Sequence, residues 1–238
     1  WSSDVCSSDL YEIKRRLNLE SRLVFFSTDY VFDGNSKIPY KTLEKTNPLN
    51  VYGYSKVIGE NHVVNILGNI NRGFIIRTSW LISPFGTNFV PKILKLLDSQ
   101  NEIKVVNDQI GSLTSTFSLA NICWKIIYLK QFKSVFNQKN HRILHWQDNG
   151  ETNWFEIALT ISNLSKEIGL LEGNKKIIPI KTSQYPSLVK RPSYSVLDSK
   201  LTKSLLNYQG KYWKTTLKEV IEKIYMDSKS SYSIKSLL

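Results

Sequence analysis

A chain of 238 residues with 41% hydrophobic and 12% aromatic side chains can bury a sizeable core, in one domain or one and a half. Its net charge of +12 comes from lysines scattered among asparagines and isoleucines, which describes a solvated surface and not a basic stripe interleaved with aromatics, so no nucleic-acid partner is expected. No apolar run is long enough to span a bilayer, no signal peptide opens the chain, and the two cysteines are too few for a disulfide framework or a zinc site; a soluble cytoplasmic protein with no membrane partner is expected.

The first ten residues, WSSDVCSSDL, are serine-rich and without pattern, and they match what one reading frame of a sequencing-adapter oligonucleotide encodes. Residues 1–10 are therefore expected to be a non-native scar that fits no element of the fold, with the protein entering mid-sequence near Tyr11. Cys123, in Ile122-Cys123-Trp124, is then the one native cysteine and is expected as a buried core thiol. Glu12 to Leu19 has the pattern of a helix end. Arg22 to Ser27 is a short continuous apolar run, expected as a strand buried on both faces of a parallel sheet. Thr28 to Asn47 is polar and interrupted by Gly34 and Pro39, so a long loop is expected, and such loops are usually functional. Asn50 to Leu67 has helical spacing, with Val57, Ile58, Val63, Ile66 and Leu67 on one side.

Gly73–Thr78 follows as a buried strand, Thr87–Leu97 as a helix and Ile103–Val106 as a brief strand. Ser115–Leu129 is helical, Ile143–Trp146 extended, Trp154–Ile168 helical with Thr152 or Asn153 as its cap, and Ile177–Ile180 extended. Thr215–Ile224 is the last clear helix, and the polar tail after Met226 is expected to fray. Strands alternating with helices predict an α/β chain built on a parallel sheet.

The chemistry begins with Tyr52-Gly53-Tyr54-Ser55-Lys56. A tyrosine and a lysine four residues apart share a helix face, and an ammonium beside a phenol favours phenolate, which predicts a Tyr52 pKa lowered toward neutrality. Such a tyrosine exchanges a proton with a carbonyl or alcohol oxygen. The run Ser27-Thr28-Asp29-Tyr30-Val31-Phe32-Asp33-Gly34 starts at the C-terminal end of a buried strand, where open parallel sheets place their ligands. There the Thr28 hydroxyl can bond the oxygen that Tyr52 protonates. His62, His141 and His145 share no ligand spacing and are expected to serve packing or the surface, so no metal site is expected on them.

With STDYVFDG, NVYGYSKVIGE, RTSWLISPFGTNFV, VVNDQIGSLTS and KRPSYSVLD in order, the chain resembles the dTDP-4-dehydrorhamnose reductase family of extended short-chain dehydrogenases along nearly all of residues 11–225. The resemblance implies a Rossmann-type parallel sheet, its first half missing, with a smaller C-terminal substrate-binding domain. Residues 11–80 would be the C-terminal part of the nucleotide-binding domain, 81–230 mainly the substrate domain with the last Rossmann elements interleaved at about 111–146, and 231–238 a polar tail. It implies hydride transfer from NADPH or NADH to the C4 ketone of a dTDP-4-dehydro-sugar, in the intact parent and not in this fragment. Tyr52 would be the general acid and Lys56 would hold the nicotinamide ribose. Thr28 and Asp29 would contact the sugar, Ser27 the cofactor, Trp80 would line the sugar pocket, and Asn88 and Arg191 would face the nucleotide. It leaves a Mg2+ ion and a homodimer open and fixes neither.

Three features depart from the family. The chain's eleven glycines include no Gly-x-Gly pair, so the pyrophosphate loop is absent from it. Leu113 stands where the family's GSPTS segment has proline, and Tyr194 where RPxNSVL has asparagine. Alternatives within the class are an epimerase or a 4,6-dehydratase, the latter disfavoured because Tyr30 follows Asp29 where an acid–base pair is needed. A non-catalytic regulatory subunit like that of methionine adenosyltransferase is the alternative outside it.

Overall fold

The computed structural model describes residues 7–17, 21–68, 72–129, 142–187 and 189–230. The chain opens with helix α1 (Ser7–Arg16), strand β1 (Leu23–Thr28), a 3₁₀ turn (Asp29–Val31), α2 (Val51–Leu67) and β2 (Gly73–Thr78). It continues with β3 (Leu81–Ile82), α3 (Phe89–Ser99), β4 (Glu102–Val106), β5 (Ile110–Gly111), β6 (Thr114–Ser115) and α4 (Thr116–Ile127). Then come β7 (Ile143–Trp146), β8 (Thr152–Asn153), α5 (Trp154–Glu167), β9 (Lys176–Ile180), α6 (Lys200–Leu206) and α7 (Trp213–Ser230). These elements sort into two compact units, one from the described residues of 1–79, 119–147 and 188–209, the other from 80–118, 148–187 and 210–238. The stretch that returns to the first unit thus starts at 119, where 111 was expected, and a second return over 188–209 was not foreseen.

The first unit is built on a parallel sheet in the order β1-β2-β7, with Leu23 opposite Gly73 at one end and Thr28 opposite Thr78 at the other. β2 is buried at every position, as expected for a central parallel strand covered on both faces. Side chains alternate between faces. Phe74, Ile76, Leu144 and Trp146 pack on one side with Leu119, Ile122 and Ile126 of α4 and Leu206 of α6. Phe25 and Ile75 pack on the other with Val63, Ile66 and Leu67 of α2 and Leu10 of α1. β1 pairs with β2 along one side, and its Phe26 is 44% exposed.

Several other expectations are corrected. Ser7–Leu10 form the first turn of α1 and Leu10 is fully buried, because any leucine in phase with Ile13 and Leu17 completes an apolar stripe. Residues 1–6, His141 and the tail 231–238 lie outside the described residues. Ile58 of α2 faces outward; the buried face carries Gly53, Gly59, Glu60, Val63, Ile66 and Leu67. Cys123 is half-buried against the α4 core, and burial raises its thiol pKa. α7 begins two residues before the expected start and runs past Met226 to Ser230. α6 escaped the sequence reading because seven residues with two lysines carry little periodicity.

In the second unit β4 and β9 pair in parallel, β3 with β6 in parallel, and β5 with β8 antiparallel. The core joins α3, α5 and α7 through Val90, Leu94, Leu97, Ile157, Ile161, Leu217 and Ile221. Leu113 belongs to this core and is fully buried, so it offsets the turn rigidity lost with proline by burying its side chain.

Candidate active site

The candidate site lies in the first unit, at the C-terminal end of β1. Thr28 is the last residue of that strand. Its hydroxyl accepts from the Tyr30 amide at 3.2 Å, capping the 3₁₀ turn, and donates to Asp29 Oδ1 at 3.0 Å. Tyr52, in the first turn of α2, lies beside Thr28, close enough for the threonine hydroxyl to pull the Tyr52 pKa down. The start of α2 is set by Asn50, whose Oδ1 accepts from the Gly53 amide at 2.9 Å and whose Nδ2 donates to the Lys190 carbonyl at 3.0 Å.

Gly53 explains how Tyr52 comes so near β1. A Cβ at this position would sit 2.1 Å from the Tyr30 carbonyl oxygen, a distance no side chain tolerates. Gly53→Ala is therefore expected to destabilise the protein by about 1–3 kcal/mol and to push the 28–34 loop away from Tyr52. Thermal unfolding checks this, and a variant as stable as the parent contradicts it.

Lys56, one turn beyond Tyr52, donates to the Phe26 carbonyl at 3.2 Å, and its ammonium lies 5.8 Å from the centre of the Tyr52 ring. The expected lowering of the Tyr52 pKa is not found. Burial raises it, the Thr28 hydrogen bond opposes this, and the Asp29 charge adds to the rise. The physical reason is that the ammonium sits by the ring and the backbone, and desolvation outweighs it. Tyr52 is consequently the protonated phenol at neutral pH, the form a proton donor requires. Its neighbour Tyr30, edge-on at 5.9 Å between ring centres, is pushed up to about 12 by burial and stays neutral.

Asp29 lies behind Thr28, 2% exposed, its carboxyl raised by burial to about 6 and held down from a higher value by the Ser195 and Thr28 hydroxyls. Arg191 is exposed on the segment that packs against this loop, and its charge lies near enough to Tyr30 to favour the phenolate there. That packing needs Gly34, which has φ +77° and where a Cβ would meet Pro192 at 2.5 Å. Tyr194, the other departure from the family pattern, packs its ring toward Tyr40.

Ser27, expected at the cofactor, turns its hydroxyl away: Oγ donates to Glu60 Oε1 at 2.5 Å. Glu60 in turn forms a two-pronged ion pair with Arg77, Nε to Oε1 at 2.8 Å and Nη2 to Oε2 at 2.6 Å, with both side chains 5% exposed or less. Arg77 Nη1 also donates to the Thr42 carbonyl at 3.2 Å and lies 3.4 Å from His145 Nε2. His145 Nδ1 is 3.0 Å from the Tyr40 carbonyl, so the proton belongs on Nδ1 and Nε2 accepts from Arg77.

His145 is fully buried, and burial and then the Arg77 charge lower its pKa to about 3. An unfolded histidine takes a proton below roughly pH 6.5, whereas the folded one does not, so this contribution to stability is lost as pH falls from there toward 3. Asp29 runs the other way: its raised folded pKa favours the fold as pH falls through about 6 toward the unfolded value. By pH 5 the histidine component amounts to about 2 kcal/mol. A His145→Gln variant should accordingly lose less stability than the parent between pH 7 and pH 5 in parallel denaturant titrations. Equal losses would contradict the assignment.

Trp80 and Asn88 belong to the second unit. Trp80 has a left-handed backbone, φ 43°, which for a bulky residue costs about 1–3 kcal/mol. Its indole stacks on Trp154 with centres 4.0 Å apart, and Trp154 meets Phe89 at 4.5 Å, contacts that offset part of that cost. Trp154 is fixed by its indole donating to Gln109 Oε1 at 3.2 Å, in a segment to which the sequence reading assigned no chemistry. Asn88 caps α3: Oδ1 accepts from the Val90 amide at 3.2 Å while Nδ2 donates to the carbonyls of Ser83 and Phe85. These local bonds account for its amide without a nucleotide. Among the described residues no group of three or more His, Cys, Asp or Glu is placed to hold a metal, and Mg2+ has no support here. Among the described residues no helix is long and apolar enough to cross a membrane.

Glu60, Arg77 and Trp154 were missed from sequence. Arg77 carried a signal, since a lone charge inside Gly-Phe-Ile-Ile-Arg-Thr, a strand buried throughout, has to be paired.

A threonine hydroxyl ends a parallel strand, a tyrosine lies beside it and a lysine stands one turn further along the tyrosine's helix, the arrangement that the resemblance to extended short-chain dehydrogenases leads one to expect. Comparison with known proteins agrees. The RmlD substrate binding domain family matches residues 14–226, and the chain belongs to that family. It is 30% identical over 210 residues to the dTDP-4-dehydrorhamnose reductase of Aggregatibacter actinomycetemcomitans, covering 88% of this chain and 69% of that protein. Among solved structures, the dTDP-4-dehydrorhamnose reductase of Clostridium acetobutylicum superposes with a TM-score of 0.73 at 35% identity, covering 86% of this chain and 66% of that one. The Bacillus anthracis dTDP-4-dehydrorhamnose reductase, solved in complex with NADP, gives 0.71 at 30% identity, with 87% and 66% covered. The chain thus spans about two thirds of the length of these relatives.

Proposed function

We propose that the intact protein reduces the C4 ketone of dTDP-4-dehydro-β-L-rhamnose to give dTDP-L-rhamnose, with a reduced nicotinamide as hydride source. The observation that carries the reading is the Thr28–Tyr52 hydroxyl pair at the end of β1 with Lys56 one helical turn away. Family membership and the names of the relatives support the choice of sugar nucleotide.

Tyr52, kept as a neutral phenol by its surroundings, gives its proton to the oxygen that develops negative charge at C4. Thr28, its single proton turned from Asp29 Oδ1 to the substrate, donates to the same oxygen and holds it within reach of Tyr52. The residues fit the nicotinamide ribose: Lys56 gives one donor to the Phe26 carbonyl at 3.2 Å, and the ammonium keeps further donors for a ribose diol. The bound NAD(P)H supplies the hydride. Asp29 supports Thr28 from behind, its Oδ1 accepting from the threonine hydroxyl at 3.0 Å. Trp80 is the proposed apolar contact for the sugar's methyl group, and Arg191, exposed at the rim of the 28–34 loop, the proposed contact for the diphosphate. A dehydratase would want a second carboxylate beside Asp29, where Tyr30 stands as a neutral phenol.

The test is turnover of enzymatically prepared dTDP-4-dehydrorhamnose by the protein expressed from its complete reading frame, with NADPH and NADH in parallel. Consumption of either cofactor that depends on the sugar supports the reading. A folded, cofactor-binding protein that consumes neither overturns it.

A further inference from the structure

Ser27, Arg77 and His145 occupy one row across the parallel sheet: Ser27 pairs with Arg77 across β1 and β2, and Arg77 with His145 across β2 and β7. The next row is Thr28, Thr78 and Trp146, so this buried polar row lies one residue before the catalytic threonine. All three side chains are 4% exposed or less. Into the row reaches Glu60, eight residues beyond Tyr52 and four beyond Lys56, and so on the same face of α2. Its two oxygens are both engaged, one by Ser27 and Arg77 Nε, the other by Arg77 Nη2.

A helix packed on a sheet by apolar side chains alone can slide and roll by a fraction of an ångström at little cost. On the Tyr52 side Val51, Tyr52 and Tyr54 are exposed, and α2 is held there by the close approach of Gly53 to the Tyr30 carbonyl and by Asn50. A carboxylate held in a fork by Arg77 and by Ser27 does not allow such slippage, because three charge-assisted hydrogen bonds would lengthen together. We propose that Glu60 is a positioning residue: seated on Ser27 and Arg77, it sets the height and roll of α2, so that Tyr52 meets Thr28 and Lys56 meets the nicotinamide ribose. The assignment rests on the reading of Tyr52, Lys56 and Thr28 given above, and adds to it a residue that touches neither substrate nor cofactor. Arg77 further ties the row to the loop after Thr28 through the Thr42 carbonyl, and His145 does the same through the Tyr40 carbonyl. The sheet row, the catalytic helix and the catalytic loop are thereby referred to one point.

The test uses the full-length protein with two conservative changes. Glu60→Asp keeps the charge and withdraws it by one methylene; Ser27→Ala keeps the ion pair and removes only the link to β1. Each is compared with the parent for kcat, KM for the sugar nucleotide, NADPH affinity by fluorescence, and melting temperature. Glu60→Asp should lower kcat about 10- to 100-fold, since sub-ångström misplacement of catalytic groups is that costly, with KM changed less than about twofold. Ser27→Ala should lower kcat about tenfold, and both variants should weaken NADPH binding about threefold through Lys56. A merely structural Glu60 would give lower melting temperatures with parental kcat and NADPH affinity, and that result overturns the proposal. Should the parent fail to turn over the sugar, the substrate reading falls alone: weakened NADPH binding in the variants still upholds Glu60, and unchanged binding overturns it.

Discussion

Tyr52→Phe should lower kcat by about 10²- to 10⁴-fold, the range general acid catalysis contributes. The protein around it should hardly notice. The ring is 48% exposed, and its edge-on contact with Tyr30 uses carbon atoms that phenylalanine retains. What disappears is the hydroxyl beside Thr28, a phenol that burial keeps protonated. Tyr30 cannot substitute, because burial and the Asp29 charge push it up to about 12. Asp29 cannot either, since its carboxyl lies behind Thr28 and is engaged with it at 3.0 Å. NADPH affinity should stay within about twofold of the parent, because Lys56 keeps its Phe26 anchor. A variant with more than about a tenth of parental kcat would remove Tyr52 from the role of acid.

Arg77→Ala is expected to be the most destabilising single change considered, at about 3–5 kcal/mol. The reason is the charge left behind. Glu60 is 4% exposed and would keep only the Ser27 hydroxyl as partner, while the carbonyl of Thr42 would lose its donor. In a chain of this size the loss corresponds to roughly 6–20 °C in melting temperature. Replacing both partners, Glu60→Leu with Arg77→Met, removes the stranded charge along with the pair. The double variant should then recover part of the lost stability, and only part, because Ser27 and His145 each still lose a buried partner. Chemical denaturation of the two single variants and the double measures this directly. A double variant as unstable as Arg77→Ala would show that packing at this point, and not charge, supports the sheet.

The alternation of short apolar runs with helical spacing located β1, β2, β7, α2, α4 and α5 because each obeys the period of its own element. Thr28, Tyr52 and Lys56 were recoverable because their chemistry depends on spacing along one helix and on one strand end. Glu60 was not, since an isolated glutamate in a helix of a charged protein is most often solvated, and only the register of β1 against β2 brings Ser27 and Arg77 beneath it. The direction of the Tyr52 pKa was misread for a similar reason. Sequence spacing places Lys56 beside Tyr52, but the balance is struck by how far the phenol is desolvated and by where the ammonium's hydrogen bond goes. α6 and Asn88 show the limits of pattern as well. A short helix has too few turns to display a period, and an asparagine near a helix start serves as its cap before it serves anything else.

The most direct test of the central claim is to follow the hydride itself. The full-length protein would be incubated with dTDP-4-dehydrorhamnose and NADPH carrying deuterium at the transferable position of the nicotinamide, and the product examined by NMR. Deuterium at C4 of a rhamnosyl product, formed by the parent and lost with Tyr52→Phe, is the predicted result. Deuterium absent from C4 while the sugar is consumed would contradict it, and would assign this Thr28–Tyr52–Lys56 site to a different transformation of a nucleotide sugar.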